Sequence, residues 1–276
     1  MRFRSPVAFA ALLLFSAAIA VAGTPQDSVM QAVNDREAFV VAVLPDQLPL
    51  AVRDPAGNLQ GFDIEVAEAL AKRLGHPVRF VTPGWSNILA ADSTQPWDFA
   101  VASITPTPQR EKILNFPALY RMDAAVVVVR SADTKFERPQ DVSGKTIAVK
   151  AKTTFERYLR KDLSLDEGGG VIAYVIENAK VTPVASNGDA LKAVVNKKAE
   201  AAVTLLAVAE AAKKDGMPIR VLGGFLYFEP VSVATQKGDP AFDQQVADAV
   251  ESLRQDGTLS ALSTKWFGID LGSVIP

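Results

Sequence analysis

Apolar runs and helical periodicity alternate along this chain in two successive series, and that alternation most narrows the folds open to it. "FVVAVL" (39–44) is apolar throughout, the pattern of a strand buried on both faces. "RDPAGNLQG" (53–61) is turn-rich and feeds "FDIEVAEALAKRLG" (62–75), where Ile64, Ala67, Leu70, Ala71 and Leu74 keep helical spacing. Asp63 is the expected N-cap of that helix and Gly75 its C′ stop. "VRFVT" (78–82) and "WDFAVA" (97–102) read as strands, with a helical "NILAAD" between them. A second series opens at "DAAVVVVR" (123–130). It runs through "KTIAVK" (145–150), "TFERYLRK" (154–161), "DALKAVVNKK" (189–198) and "AEAAVT" (199–204). "VSVATQ" (231–236) and a long helix from Pro240 to Arg254 follow, while residues 24–36 read as a loose polar lead-in. Strands alternating with helices predict an α/β fold with mainly parallel sheets flanked by helices. Two series of similar size predict two lobes facing each other across a cleft.

Composition removes several function classes. With 276 residues, 49% of them hydrophobic, the chain can build one large domain or two modest lobes. Its 29 basic and 31 acidic residues form no basic stripe, so nucleic acid is not an expected partner. Having no cysteine, it can form neither disulfides nor thiolate metal sites. The single histidine, His76 in "RLGHPVRF", sits between an expected helix and strand and reads as a surface residue. A zinc cluster would have to rest on carboxylates, and neither metal nor cofactor is expected.

The N-terminus has the form of an export signal. "MRFR" carries two cations, "VAFAALLLFSAAIAVA" (7–22) is apolar, and "AVA" (20–22) meets the small-x-small cleavage rule. Cleavage after Ala22 is expected, giving a mature periplasmic protein. The apolar run is short for a membrane span of roughly 20 residues, and no cysteine follows it for lipid attachment. Loss of Arg2 and Arg4 moves the formal net charge from −2 to −4.

One stretch carries chemistry. "ASITPTPQR" (102–110) ends an expected strand with three hydroxyls, Ser103, Thr105 and Thr107, followed by the guanidinium of Arg110. A planar guanidinium takes a carboxylate in a charge-assisted fork, and hydroxyls can fill its remaining lone pairs. The alternative is an Arg110 paired with Glu111 or with an acid of the second lobe. "EGGGV" (167–171) is no phosphate loop, because it lacks the preceding strand and the lysine-serine end. It reads as part of an insertion at about 163–178.

"LPDQLPLAVRDPAGNLQGFDIEVAEALAKRLG", "DFAVASITPTPQREKILNFPALY", "SGKTIAVKAKTTFERYL" and "DGTLSALSTKWFG" together resemble the bacterial extracellular solute-binding proteins of family 3, the polar-amino-acid type. The resemblance spans about residues 37–269 and implies a two-lobed, type II flytrap fold. Lobe 1 would hold 37–122 and 230–276, lobe 2 127–223, with hinge segments at 123–126 and 224–229 and ligand-driven closure. It implies a monomer that delivers a small ligand to the membrane permease of an ABC transporter.

By the same resemblance, Ser103, Thr105 and Arg110 would hold the ligand's carboxylate and Trp85 would wall the pocket. Thr153 and Thr154 would face the carboxylate from lobe 2. Lys152 stands where glycine is usual, adding a cation at the cleft mouth or pointing to solvent. The ammonium half of the family site is altered. Leu205 occupies the position of an acceptor aspartate, Leu44 that of another acid near the first strand's end, and Gln47 that of a pocket aromatic; Asp46 lies one or two positions off, and another loop path could bring it in. An ammonium buried against leucines without a carboxylate would cost several kcal/mol. The expected ligand is therefore an anion, a small carboxylate other than a standard α-amino acid. Two other functions stay open: an accessory protein that has lost small-ligand binding, and a dehydratase-like enzyme using Glu229 or Glu156.

Overall fold

The computed structural model describes residues 28–45, 48–165 and 172–273. The expected signal segment with its cleavage after Ala22, Gln47, and the stretch 167–171 lie outside that range. In chain order the strands are β1 (Phe39–Ala42), β2 (Val52–Arg53), β3 (Leu59–Gln60), β4 (Val78–Val81), β5 (Phe99–Ile104), β6 (Leu114–Arg130), β7 (Thr146–Lys150), β8 (Lys180–Val184), β9 (Ala201–Leu205), β10 (Ile219–Val221) and β11 (Tyr227–Gln236). The helices are α1 (Val29–Arg36), α2 (Phe62–Arg73), α3 (Trp85–Leu89), α4 (Pro108–Glu111), α5 (Thr154–Leu159), α6 (Asn187–Val195), α7 (Leu206–Lys214), α8 (Pro240–Gln255) and α9 (Thr258–Phe267).

Hydrogen bonds order the main sheet β4-β1-β5-β11-β6-β9-β7-β8, with β10 also on β6. The outer trios β4-β1-β5 and β9-β7-β8 are parallel, as the strand–helix alternation requires. Between them β6 and β11 pair antiparallel and carry the chain from one lobe to the other, Glu229 opposite Asp123. The sequence shows only the second half of β6, from Asp123. Its first half is interrupted by Pro117, which lies where the β6–β11 register shifts, and by the polar pair Arg121 and Asp123.

β1 is buried on both faces, as its unbroken apolar run predicts. Phe39 and Val41 join Phe62, Leu70, Phe99 and Phe242 on one side of the lobe 1 sheet. Val40 and Ala42 face the other way, onto Ile88, Trp97 and Ile104. The lobe 2 core gathers Val126–Val129 of β6, Ile147–Val149 of β7 and Leu191, Val203 and Val208. Leu50, from the loop after β1, packs into that second core, so lobe 1 reaches across the cleft there.

Two local expectations change. The lead-in contains helix α1, because Ser28 caps it through the Gln31 N–H at 3.1 Å and Val33 is buried beneath it. Asp239 accepts from the Val29 N–H at 2.8 Å and from the Phe242 N–H at 2.9 Å, so one carboxylate serves the starts of α1 and α8. Asp239→Ala should cost about 1–2 kcal/mol in denaturant unfolding, twice over what a single-helix cap removes at the low end. The N-cap of α2 is Gly61 and not Asp63. Gly61 takes φ +136°, and the Asp63 side chain turns inward to a buried network.

Candidate functional site

The cleft lies at the carboxyl ends of β1, β5, β7 and β9, where the last residues of each strand and the loops beyond it converge. Ligands of open α/β sheets bind outside those ends. From lobe 1 it is lined by Leu44, Leu50, Asp63, Trp85, Ser103 and Arg110, with Thr105 at its base. Lobe 2 contributes Lys150, Thr153, Thr154, Phe155, Asn187 and Leu205, and Glu229 comes from the crossing strand β11. The space left between them is about 40 Å³, room for one or two water molecules.

Arg110 is placed by a one-turn helix. Thr107 accepts from the Arg110 N–H at 3.3 Å and Pro108 opens the turn, so the guanidinium swings back over the end of β5. Nη1 donates to the Thr105 carbonyl at 2.7 Å and Nη2 to the Lys152 carbonyl of lobe 2 at 3.2 Å. Its Cζ lies 5.1 Å from the centre of the Trp85 ring. Neither Glu111 nor a lobe 2 acid forms an ion pair with it among the described residues. Burial draws the Arg110 guanidinium down to about 10, against the opposing pull of Glu229 and Tyr227. The guanidinium is thus hydrogen-bonded to two carbonyls, with the Glu229 carboxyl close enough to act on it electrostatically.

The hydroxyls do something other than expected. Ser103 Oγ donates to Asp63 at 2.6 Å and accepts from Arg121 at 2.9 Å. Thr105 and Thr154, from opposite lobes, both donate to Oε1 of Glu229. Thr153 donates to the Lys150 carbonyl at 2.6 Å and caps α5. Their protons serve buried acceptors within the protein, because the cleft floor carries two carboxylates that need them. Lys152 stands at the rim outside the cleft lining, its Nζ 3.0 Å from Ser86 Oγ of lobe 1. Leu205 is buried in the wall at the start of α7, with Leu44, Leu50 and Phe155 beside the same cavity.

Sequence reasoning missed Leu50, Asp63, Lys150 and Asn187 as lining residues, and weighed Glu229 only as a catalyst. The signal was positional: Lys150 ends a parallel strand of lobe 2, as Leu205 does. Lys150 is buried, with Nζ 4.8 Å from the Trp85 ring that Arg110 also overlies, so both cations flank one indole. Glu156 points elsewhere, accepting from the Lys152 N–H and from Arg160.

Burial pushes the Glu229 carboxyl up, although Thr105, Thr154 and Arg110 pull it down. The folded state then holds a proton that the unfolded state has released, over the pH range from an ordinary glutamate value upward. Stability contributed by this group falls as pH rises through that range. Thermal melts should show Glu229→Gln flattening the decline that begins above the ordinary glutamate range, relative to the parent.

A two-lobed α/β protein with a cleft at the carboxyl ends of its parallel strands has the architecture of a solute-binding protein. The chain matches the bacterial extracellular solute-binding proteins, family 3, over residues 39–269, and it belongs to that family. It is 26% identical over 257 residues to the L-cystine-binding protein TcyJ of Escherichia coli, covering 92% of each chain. It is 28% identical over 226 residues to a probable amino-acid ABC transporter-binding protein of Haemophilus influenzae, covering 81% of this chain and 82% of that one. Among solved structures it resembles the ancestral amino acid-binding protein AncCDT-1, a precursor of cyclohexadienyl dehydratase. The TM-score is 0.76 at 29% identity, covering 87% of this chain and 100% of that one. No helix among the described residues is long and apolar enough to cross a membrane.

Proposed function

We propose that this chain is the periplasmic binding component of an ABC-type uptake system and that its cleft takes a small carboxylate through Arg110. The supporting observation is the guanidinium of Arg110 at the strand ends, hydrogen-bonded to carbonyls and not to a carboxylate, beside the second cation Lys150. The solute's carboxylate would replace the carbonyl contacts of Arg110 with a fork, its body resting on Trp85, Leu44 and Leu205. Leu205 gives an α-ammonium no acceptor at the wall where the resemblance places one, so a standard α-amino acid is not the expected ligand.

Entry requires the lobes to part, since contacts join them across the cleft, among them Arg110 to the Lys152 carbonyl, Lys152 to Ser86, and the two threonines on Glu229. The hinge segments assigned to it are 123–126 and 224–229, dividing lobe 1 (37–122 and 230–276) from lobe 2 (127–223). The proposed partner is a membrane permease, with the protein acting as a monomer. We assign binding and not catalysis, because Oε1 of the one buried cleft acid on β11, Glu229, is engaged in holding the lobes together.

A thermal-shift screen of the mature protein tests this. It compares amino acids with matched carboxylates lacking the amine, each at up to 100 times the expected dissociation constant. A ligand at that excess adds about 2.7 kcal/mol of stability. The proposal expects stabilisation by the amine-free acids. Stabilisation by amino acids alone would overturn the exclusion of an ammonium, and no response to either set would favour an accessory protein.

A further inference from the structure

Among the described residues, a positive φ at a residue other than glycine falls mostly at or just after the end of a helix, as at Glu37, Ala91, Lys161 and Lys197. Lys152 is different. Its φ is +60° immediately before Thr153, the N-cap of α5, at the rim of the cleft. A side chain is strained in that region of backbone space, and such strain persists only where surrounding contacts hold it.

The contacts of Lys152 reach both lobes. Its N–H donates to Glu156 Oε2 of α5 at 2.8 Å, and Arg160 fixes the other oxygen of that carboxylate at 2.9 and 3.0 Å. Its carbonyl accepts from Arg110 Nη2 of lobe 1 at 3.2 Å, and its Nζ donates to Ser86 Oγ of lobe 1 at 3.0 Å. The residue is thus anchored in lobe 2 by its N–H, while its carbonyl and side chain cross to lobe 1. A groove of about 330 Å³ separates residues 83–87 from Ala151, Lys152, Val184 and Ala185 at this rim, and the Lys152–Ser86 bond spans it.

We propose that Lys152 is an interlobe clasp, whose bond to Ser86 biases the protein toward its closed form. The left-handed backbone is held by Glu156 within lobe 2, so its cost falls on the open and closed forms alike. The bond to Ser86 exists only while the lobes are together, so its gain falls on the closed form alone, and only such a difference shifts the balance. A carboxylate bound on Arg110 would displace the Lys152 carbonyl, yet the ammonium would still join the two rims. The clasp therefore goes beyond solute recognition: it acts on closure whatever the cleft takes.

The chain has no cysteine, so Lys72→Cys on α2 of lobe 1 and Lys192→Cys on α6 of lobe 2, both exposed, give one pair of spin-label sites. Pulsed electron-resonance distances, recorded with no solute added, compare the labelled parent with Lys152→Met, Ser86→Ala, their double variant and Lys152→Gly. Lys152→Met and Ser86→Ala should each lower the ratio of closed to open form by about 3- to 10-fold, the scale of one charged hydrogen bond at a wet rim. The double variant should lose no more than either single one, because both remove the same bond. Lys152→Gly should open the protein to the same extent without lowering its melting temperature, since glycine relieves the left-handed strain. An unchanged ratio in either single variant, additive losses in the double, or a parent open throughout would overturn the clasp. So would a Lys152→Gly that melts below the parent, which would mark Lys152 as a residue of the fold and not of closure. With no solute in the experiment, none of these outcomes bears on the carboxylate reading, which the thermal-shift screen tests separately.

Discussion

Arg121→Met should lower the melting temperature by on the order of 10 °C, the largest loss expected from any single side chain near the cleft. Arg121 is fully buried and pairs with Asp123 at 2.5 Å, while Nη2 donates to Ser103 at 2.9 Å. Its guanidinium carbon lies 5.8 Å from the Phe62 ring centre and 5.5 Å from that of Phe267. Burial works against the charged guanidinium, yet Asp123, Tyr120 and Asp63 more than offset it and hold its proton affinity above the usual value. Methionine keeps the apolar stem but leaves Asp123 and Asp63 buried without their shared cation. Breaking a buried pair in this way costs about 3–5 kcal/mol. The double variant Arg121→Met/Asp123→Asn should recover part of that loss, because asparagine removes the orphaned charge and still accepts from the Ala124 N–H. A double variant no more stable than Arg121→Met would show that the ion pair is not the source of the effect.

Gly61→Ala should cost on the order of 3 kcal/mol and also weaken ligand binding. A Cβ there would lie 2.2 Å from the Leu50 carbonyl oxygen and 2.8 Å from the Ala51 Cα, with φ at +136°. The close approach exists because the first N–H groups of α2 are satisfied by the loop. Phe62 donates to the Pro49 carbonyl and Asp63 to the Leu50 carbonyl, each at 2.9 Å. Alanine forces Leu50 away, and Leu50 belongs both to the cleft wall and to the lobe 2 core. Gly57→Ala is the control: φ is +89° but no atom lies within 4 Å, so only the backbone cost of about 1 kcal/mol is expected. Equal losses at the two positions would remove the steric argument.

The apolar periodicity made most of the fold legible. β1, β5, β7 and β9 are nearly continuous runs of small and branched apolar residues, and helices α2, α6 and α8 show their spacing plainly. What stayed hidden depends on long-range polar contacts. The first half of β6 looks like a loop because Pro117, Arg121 and Asp123 interrupt it. Only pairing with β11 and the buried network around Asp63 make it a strand. α1 was hidden because its stability comes from Asp239, far along the chain.

The candidate site divides the same way. Arg110 is marked by its local motif, and Trp85 and Leu205 by the positions they hold in the family resemblance. Glu229 and Lys150 are not marked, because nothing in their neighbouring sequence shows that two crossing segments bring them to one cavity. The donors assumed for Ser103, Thr105 and Thr154 were assigned to a ligand when the acids that claim them lay elsewhere in the chain.

The most direct test of the carboxylate clamp is the ligand-induced shift in melting temperature of the mature protein set beside that of Arg110→Ala. A cleft built on Arg110 predicts that small carboxylates stabilise the parent and that the variant, though folded, loses the response. An undiminished response in Arg110→Ala would place the solute's carboxylate elsewhere and contradict the account.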